Sequence, residues 1–438
     1  MESCYVTIVG YEREKEFRGV FDISGDEISV SIEYGKEEGT GDLHALCQWI
    51  EDEKLVNLWV TGQNGSVITC LDCFSLTPFL DTCIQQADGK YWRGLSPMHK
   101  FGLIEFFCNR WIENVSVESS RTEFWKNAVV SFPDVDRWFA DAKADRPIPI
   151  SEDGTTVSFE SVQRNERSFL TMVDKMERKG RVTVQCVKEK SQEDLFGIER
   201  CICLLLEYSL ACPLGPGRMI VVMKNSDGHD VECECHYRPI DRDKKKPDMK
   251  AFLECKPTVK ILQEEPQKLR NWFDCCDSQY DALHGYARTL EIGGYIDEKI
   301  MWLVQSFDSL SQELTDRTTV DKNAFSAWVN AVGIYGASLS GKDVPIGKDR
   351  IIGVLGTLRF PSLKARLMQY MSVHVEKLKP LKKEDVEAVA GCVVTLRHSR
   401  AHGHGSWLDE LPKGYGLLEL ETVMQKVVRI LIDELVFS

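Results

Sequence analysis

The stretch Val386-Glu-Ala-Val-Ala-Gly-Cys-Val-Val-Thr-Leu-Arg397-His-Ser-Arg-Ala-His402-Gly-His404 sets the reading of the second half of the chain. Val386, Val389, Val393 and Leu396 recur at steps of three, four and three, the spacing of one buried helical face. Arg397 follows at once and so leaves that stripe near the C-terminus of a helix expected over 383–400. Gly403 and Gly405 then let the chain turn. Between Arg397 and Gly405 lie two arginines, three histidines and two glycines. Histidine can give and take a proton near neutral pH. Arginine carries a fixed fork of donors that suits a phosphate. Arg397 with His402 could therefore cleave a phosphodiester without a metal.

Working outward, the neighbouring segments carry the same three-and-four periodicity. Leu283, Ala287, Leu290, Ile300, Leu303, Phe307 and Leu310 mark 280–314, with Gly293-Gly294 dividing it into two helices. Further helices are expected over 324–335, 363–378 and 417–435, the last with Leu420, Val423, Val427, Ile430 and Leu431 facing inward. Helices of this number and length make a bundle. The charged, proline-bracketed stretch Pro239 to Pro247 reads as the linker before it, which places a domain boundary at 245/246.

Upstream the period is two. Tyr5 to Val9, Phe17 to Ile23 and Glu27 to Glu33 are β-branched and aromatic, with Ser24-Gly-Asp26 as a turn. Leu58 to Thr61 and Ser66 to Leu71 flank Gly62-Gln-Asn-Gly65 as a hairpin, and 101–107 and 111–117 continue a sheet. A short helix is expected over 134–139. A longer one starts at Ser191, an N-cap with acids in its first turn, and runs through Leu195, Ile198, Cys201, Leu205 and Tyr208 to Cys212. Met219 to Met223 and Val231 to Cys235 form a second hairpin around Asn225 to Gly228. Strand follows strand without intervening helices, so this half is an antiparallel sandwich or barrel. The fold class is α+β in two parts: a mainly antiparallel β domain with a few helices over 1–245, and an all-α bundle over 246–438.

An apolar fraction of 43% with 28% charged residues is that of a soluble globular protein. No apolar run is long enough to span a bilayer, Met1-Glu-Ser-Cys4 begins no signal-peptide pattern, and a cytoplasmic location is expected. Sixteen cysteines without regular spacing suit buried free thiols. The net charge of −14 argues against broad nucleic-acid binding. Between Pro361 and His404, however, eight Lys and Arg face four Asp and Glu, a local basic surface fit for one focused polyanion contact.

Several motifs compete with that reading. Gly336-Ala-Ser-Leu-Ser-Gly-Lys-Asp343 has P-loop spacing, but Asp343 replaces the hydroxyl that would hold magnesium and no strand precedes it, so a Gly-rich loop explains it better. Cys70-Leu-Asp-Cys73 supplies half a zinc site, and Cys233 and Cys235, near His229 and His236, alternate as one strand face does. His398 and His402 could share a metal on a helix face, but Ser399 stands where a metalloprotease needs glutamate. Arg397, Arg400 and the histidines could also merely complement the helix dipole.

The arginine, polar residue and closing histidine near the end of a long helix, within a C-terminal bundle, resemble the HEPN superfamily of ribonucleases. Arg397, His398 and His402 fit these places, with His404 as the rival closing histidine. A β-rich N-terminal half joined to such a bundle is similar to the ApeA-like anti-phage proteins, and Ser209-Leu-Ala-Cys-Pro213 before a strand is similar to an element of their N-terminal domain. The resemblance implies a metal-independent endoribonuclease of an abortive-infection system, one that needs no cofactor. It would cut RNA, by expectation the transfer RNA anticodon loop, and leave a 2′,3′-cyclic phosphate and a 5′-hydroxyl. His402 would be general acid or base, Arg397 would stabilise phosphoryl charge, and His398 would orient. The resemblance further implies a homodimer through the bundle, an N-terminal half that senses a phage component, and an acidic residue facing the motif, for which Asp308 is the candidate. The alternative is an inactive HEPN-like protein that dimerises or binds a partner or RNA without cutting.

Overall fold

Alternating side chains build the first half of the chain, as a computed structural model shows. The structure describes residues 2–11, 15–24, 27–33, 46, 49–50, 53, 55–63, 65–75, 82–85, 91–94, 103–108, 110–113, 123–132, 138–167, 174–214, 218–224, 229–237, 257–291, 295–314, 322–339, 361–402 and 411–438. The chain divides into two compact units, Met1–Phe273 and Asp274–Ser438.

In the first unit the strands are β1 (Glu2–Ile8), β2 (Glu16–Ser24), β3 (Glu27–Glu33), β4 (Val56–Gly62), β5 (Val67–Ser75), β6 (Thr82–Gln85), β7 (Tyr91–Gly94), β8 (Leu103–Phe107) and β9 (Arg110–Glu113). They continue as β10 (Glu123–Phe132), β11 (Ile148–Pro149), β12 (Thr156–Arg167) and β13 (Asp174–Ser191). Helix α1 (Gln192–Leu210) then precedes β14 (Arg218–Lys224) and β15 (Asp230–Tyr237). Apart from the β6–β7 pair, the order is β11-β12-β13-β10-β14-β15-β9-β5-β4-β1-β2-β3-β8, and β8 returns to pair with β5. That last pairing closes β5, β4, β1, β2, β3 and β8 into a ring. Of the sandwich and the barrel left open by the sequence, the described strands make a barrel extended by an open sheet, antiparallel throughout.

Period-two alternation fills the ring. Cys4, Val6 and Ile8, Phe17 and Phe21, Val30 and Ile32, Val56, Leu58 and Val60, Ile104 and Phe106 are buried in one cluster. Gly19 is required by close approach: a Cβ there would sit 2.4 Å from the Ser31 carbonyl and 2.9 Å from Val6. The hairpin at 62–65 forms as read, with Gly65 at φ +80.

The long β12–β13 hairpin and β10 were not expected from sequence: Val130, Val157, Phe159, Val182 and Val184 are buried, but in β12 and β13 these short apolar stretches sit within otherwise charged and polar strands. Glu160 and Arg181 face each other across β12 and β13 and pair at 3.0 Å. Trp138, Phe139 and Phe159 stack edge to face nearby, and a Cβ on Gly180 would strike the Phe139 ring. Trp138 and Phe139 lie in a turn rather than a helix, and 133–137 lie outside the described residues. Helix α1 starts with a full capping box, in which Ser191 accepts from the Asp194 amide and Asp194 reaches back, and it ends at Ala211 in the left-handed region. Helix α2 (Val259–Glu264) and the first turns of α3 (Pro266–Leu290) complete this unit. The Trp272 indole donates to the Cys201 carbonyl at 2.9 Å, and Trp138 donates to Pro257 O at 3.2 Å. The linker read at 239–247 lies outside the described residues.

The second unit is helical: the rest of α3, then α4 (Ile296–Leu314), α5 (Lys322–Leu339), α6 (Leu363–His374), α7 (Val386–His402) and α8 (Leu417–Ile432), with a wider turn over Asp433–Phe437. Ile300, Leu303, Val304, Phe307 and Leu310 of α4 and Leu420, Val423, Val427 and Leu431 of α8 are fully buried. At Gly285 helix α3 comes so close to α4 that a Cβ would lie 2.8 Å from the Ser306 hydroxyl, which donates to Ala282 O at 2.7 Å. That contact fixes the height of α4 on α3. Helix α6 is tied to the C-terminal turn by the Tyr370 hydroxyl, which donates to Glu434 at 2.9 Å.

Candidate functional site

Three helices of the second unit converge on one carboxylate. The buried stripe of α4 ends its middle turns at Phe307 and Leu310, which leaves Asp308 between them on the edge of the core. On α7 the apolar side closes at Leu396, so Arg397 emerges beside it. On α6 Leu367 and Met371 are buried, and Arg366 shares their inner side.

Asp308 accepts from both arginines. Its Oδ2 takes a hydrogen bond from Arg397 Nη1 at 2.6 Å, and its Oδ1 pairs with Arg366. Arg366 also donates to the Asp308 carbonyl at 3.0 Å and to the Ser311 hydroxyl. The side chains grade outward, with Arg366 10% exposed, Asp308 20% and Arg397 35%. Arg366 is thus a structural cation that anchors Asp308, whereas Arg397 is held on one side and open to solvent on another. A guanidinium has five N–H donors, so one held by a carboxylate keeps donors for a second anion.

His398, Arg400 and His402 lie in α7, and their side chains lie outside the described residues; so does all of His404. Helix α7 runs through His402, whereas the sequence reading ended it at Arg400. In an ideal helix a five-residue step moves about 7.5 Å along the axis and about 140° around it. The backbone therefore offers Arg397 and His402 from different sides of one helix end.

The structure brings Asp308 to Arg397 and adds Arg366, which the sequence showed only as one charge among eight. Fifty-eight residues separate Arg366 from Asp308, and no spacing rule links them. Among the described residues no group of three or more His, Cys, Asp or Glu could hold a metal ion. Cys70 and Cys73 are buried in the barrel, and Cys233 and Cys235 are buried on β15. The P-loop-like segment begins inside α5, which runs through Gly336 to Leu339, and 340–343 lie outside the described residues. No helix among the described residues is long and apolar enough to cross a membrane.

Residues 301–437 match the family model for Apea-like HEPN. The C-terminal region is an Apea-like HEPN domain. No curated protein and no solved structure matches the chain. The match spans α4 to the C-terminal turn, so Asp308, Arg366 and Arg397 all fall within the HEPN region. HEPN domains are generally ribonucleases, and this family association points to RNA and to antiviral defence.

Proposed function

We propose that this HEPN domain is a metal-independent endoribonuclease of an abortive-infection system. The observation that carries the reading is the Asp308–Arg397 pair. It holds a partly exposed guanidinium in the last two turns of α7, one residue before His398 and five before His402. The internal nucleophile is the ribose 2′-hydroxyl, which single-stranded RNA loops expose; the transfer RNA anticodon loop is the expected target. His402 acts as general base or acid on that hydroxyl or on the leaving oxygen, and His398 orients. Arg397 stabilises the charge that develops on the phosphoryl oxygens. A 2′,3′-cyclic phosphate and a 5′-hydroxyl result. Because one helix end presents Arg397 and His402 from different sides, two copies of the bundle facing each other would supply both groups to one RNA strand. In this reading residues 246–438 form the nuclease and dimer part in the cytoplasm, while residues 1–245 sense a phage component and hold the nuclease in check.

Purified full-length protein incubated with labelled RNAs in the presence of EDTA tests this. Cleavage should survive the chelator and vanish in Arg397→Ala and in His402→Ala. Cleavage undiminished by both substitutions would remove the site assignment, and loss with EDTA would favour the histidine metal site. Toxicity on expression, or protection of a host culture against phage, serves where the enzyme is held off in vitro. A second reading, a HEPN-like binding protein that does not cut, draws on the same ion pair, since Asp308 already neutralises Arg397. It predicts RNA retention or dimerisation without products and without toxicity.

A further inference from the structure

The barrel encloses four thiols, Cys4, Cys70, Cys73 and Cys108, all buried. In a regular strand residues three apart face opposite sides. Here β5 and β4 slip: Val56 pairs with Cys73 and Leu58 with Cys70, so three steps of β5 oppose two of β4. This bulge turns both Cys70 and Cys73 inward. The barrel closes where β5 meets β8, through Phe74 opposite Phe107 and Ser75 opposite Phe106. One step further along that register sets Cys73 opposite Cys108. The Cys73 thiol donates to Cys108 Sγ at 3.0 Å, and Cys70 is hydrogen-bonded to both. These two registered pairs make the closing seam the shortest in the ring; β3–β8 and β4–β5 each have five.

We propose that Cys73 and Cys108 are a site of reversible oxidation, where a hydroperoxide drives a disulfide that staples the closing seam of the N-terminal barrel. A disulfide needs sulfurs about 2.05 Å apart, so the pair must close by roughly 1 Å. Cys108 is the attacking group: the thiols of Cys70 and Cys73 stabilise its thiolate by hydrogen bonding and pull it below the usual thiol range, while the hydrogen bond to Cys108 pushes Cys70 up and burial pushes Cys73 up. Both sulfurs are buried, so hydroperoxide reaches Cys108 when the two-pair β5–β8 seam opens; Cys108 thiolate then attacks one peroxide oxygen, the O–O bond breaks, and the departing alkoxide takes a proton and leaves as alcohol or water. Cys108 is now a sulfenic acid, oxidised by two electrons. The Cys73 sulfur attacks it, the S–S bond forms, the S–O bond breaks, and hydroxide leaves with the Cys73 proton as water. Two thiols and one hydroperoxide thus give a disulfide, one water and one alcohol (water from hydrogen peroxide). Disulfides of reducing compartments are usually of this transient, sensing kind.

The test uses the full-length protein, reduced with dithiothreitol, desalted and exposed to hydrogen peroxide. Free thiols are then blocked in denaturant, and the non-reduced digest is mapped by mass spectrometry. A Cys73–Cys108 linked peptide is expected that dithiothreitol reverses, together with a thermal midpoint several degrees higher in the oxidised protein. Cys70→Ser should retain the link and Cys108→Ser abolish it; the wild-type map decides the matter even if a variant fails to fold. Full alkylation of Cys73 and Cys108 after peroxide overturns the proposal. So does a Cys70–Cys108 link, or a stoichiometric soft metal ion in the purified protein that blocks any link.

Discussion

Removing the carboxylate of Asp308 should loosen the HEPN domain far more than removing the arginine that it presents. Asp308 accepts from two guanidiniums, one only 10% exposed and the other 35%. A buried charge-assisted hydrogen bond contributes about 1.5–3 kcal/mol. The Arg366 contact belongs near the upper half of that range, while solvent screening reduces the Arg397 contact to about 0.5–1 kcal/mol. Among the described residues, Asp308→Ala leaves Arg366 buried with the Asp308 carbonyl and Ser311 as its partners. A loss of about 2–3 kcal/mol follows for Asp308→Ala. Arg397→Ala should cost under about 1 kcal/mol, because Asp308 retains Arg366. Hydrogen exchange read by mass spectrometry on peptides from 296–314 and 363–374 reports this locally, without requiring two-state unfolding of a two-unit chain. Exchange should accelerate roughly 30- to 150-fold in Asp308→Ala and less than about 6-fold in Arg397→Ala, at 1.36 kcal/mol per decade. Equal acceleration in the two variants would refute the reasoning: Arg397 would then be a structural cation with nothing left for a phosphate. An Asp308→Ala protein exchanging within about 2-fold of wild type would show that the three helices do not depend on this carboxylate.

Three further outcomes follow from other contacts. Gly285→Ala places a methyl 2.8 Å from a Ser306 hydroxyl that is held by Ala282 O, so the clash should outweigh the gain in helix propensity and cost about 1 kcal/mol; combined with Ser306→Ala it should cost less than the sum, as a thermal double-mutant cycle will read. Asp153 accepts from Lys190, Ser151 and Thr155, which hold its carboxyl well below the usual range. A carboxyl depressed on folding stabilises above its unfolded pKa and loses that contribution as pH falls, so acid unfolding of the first unit below about pH 4 should be shallower in Asp153→Asn, by a modest amount at so exposed a site. Ser191→Ala removes the cap of α1 and should lower stability by about 1 kcal/mol, whereas Ser191→Asp should restore most of it in a urea titration.

Local chemistry was legible wherever a side chain's job is set by its neighbours in sequence. The strands β1 to β5, the 62–65 turn, the Ser191 cap and the apolar stripes of α4, α7 and α8 all follow from period and capping, because burial of one face is enough to fix the element. The β12–β13 hairpin escaped, since its buried apolar face is short, Val157 and Phe159 against Val184 and Val182, and the rest of both strands is charged and polar. The helical turns over 259–279 escaped too: their anchor Trp272 is satisfied by Cys201, 71 residues away.

The candidate site divides along the same line. Sequence by itself determined that an apolar-striped helix carries Arg397 near its C-terminal end with histidines after it, because that is a matter of spacing along one element. Only the tertiary structure decided that Asp308 is the carboxylate against Arg397, that Arg366 completes the cluster, and that Cys73 meets Cys108 at the barrel's seam. These pairs are separated by 89, 58 and 35 residues. Contacts at such separations depend on how helices dock and where a sheet closes on itself, and no local periodicity encodes that.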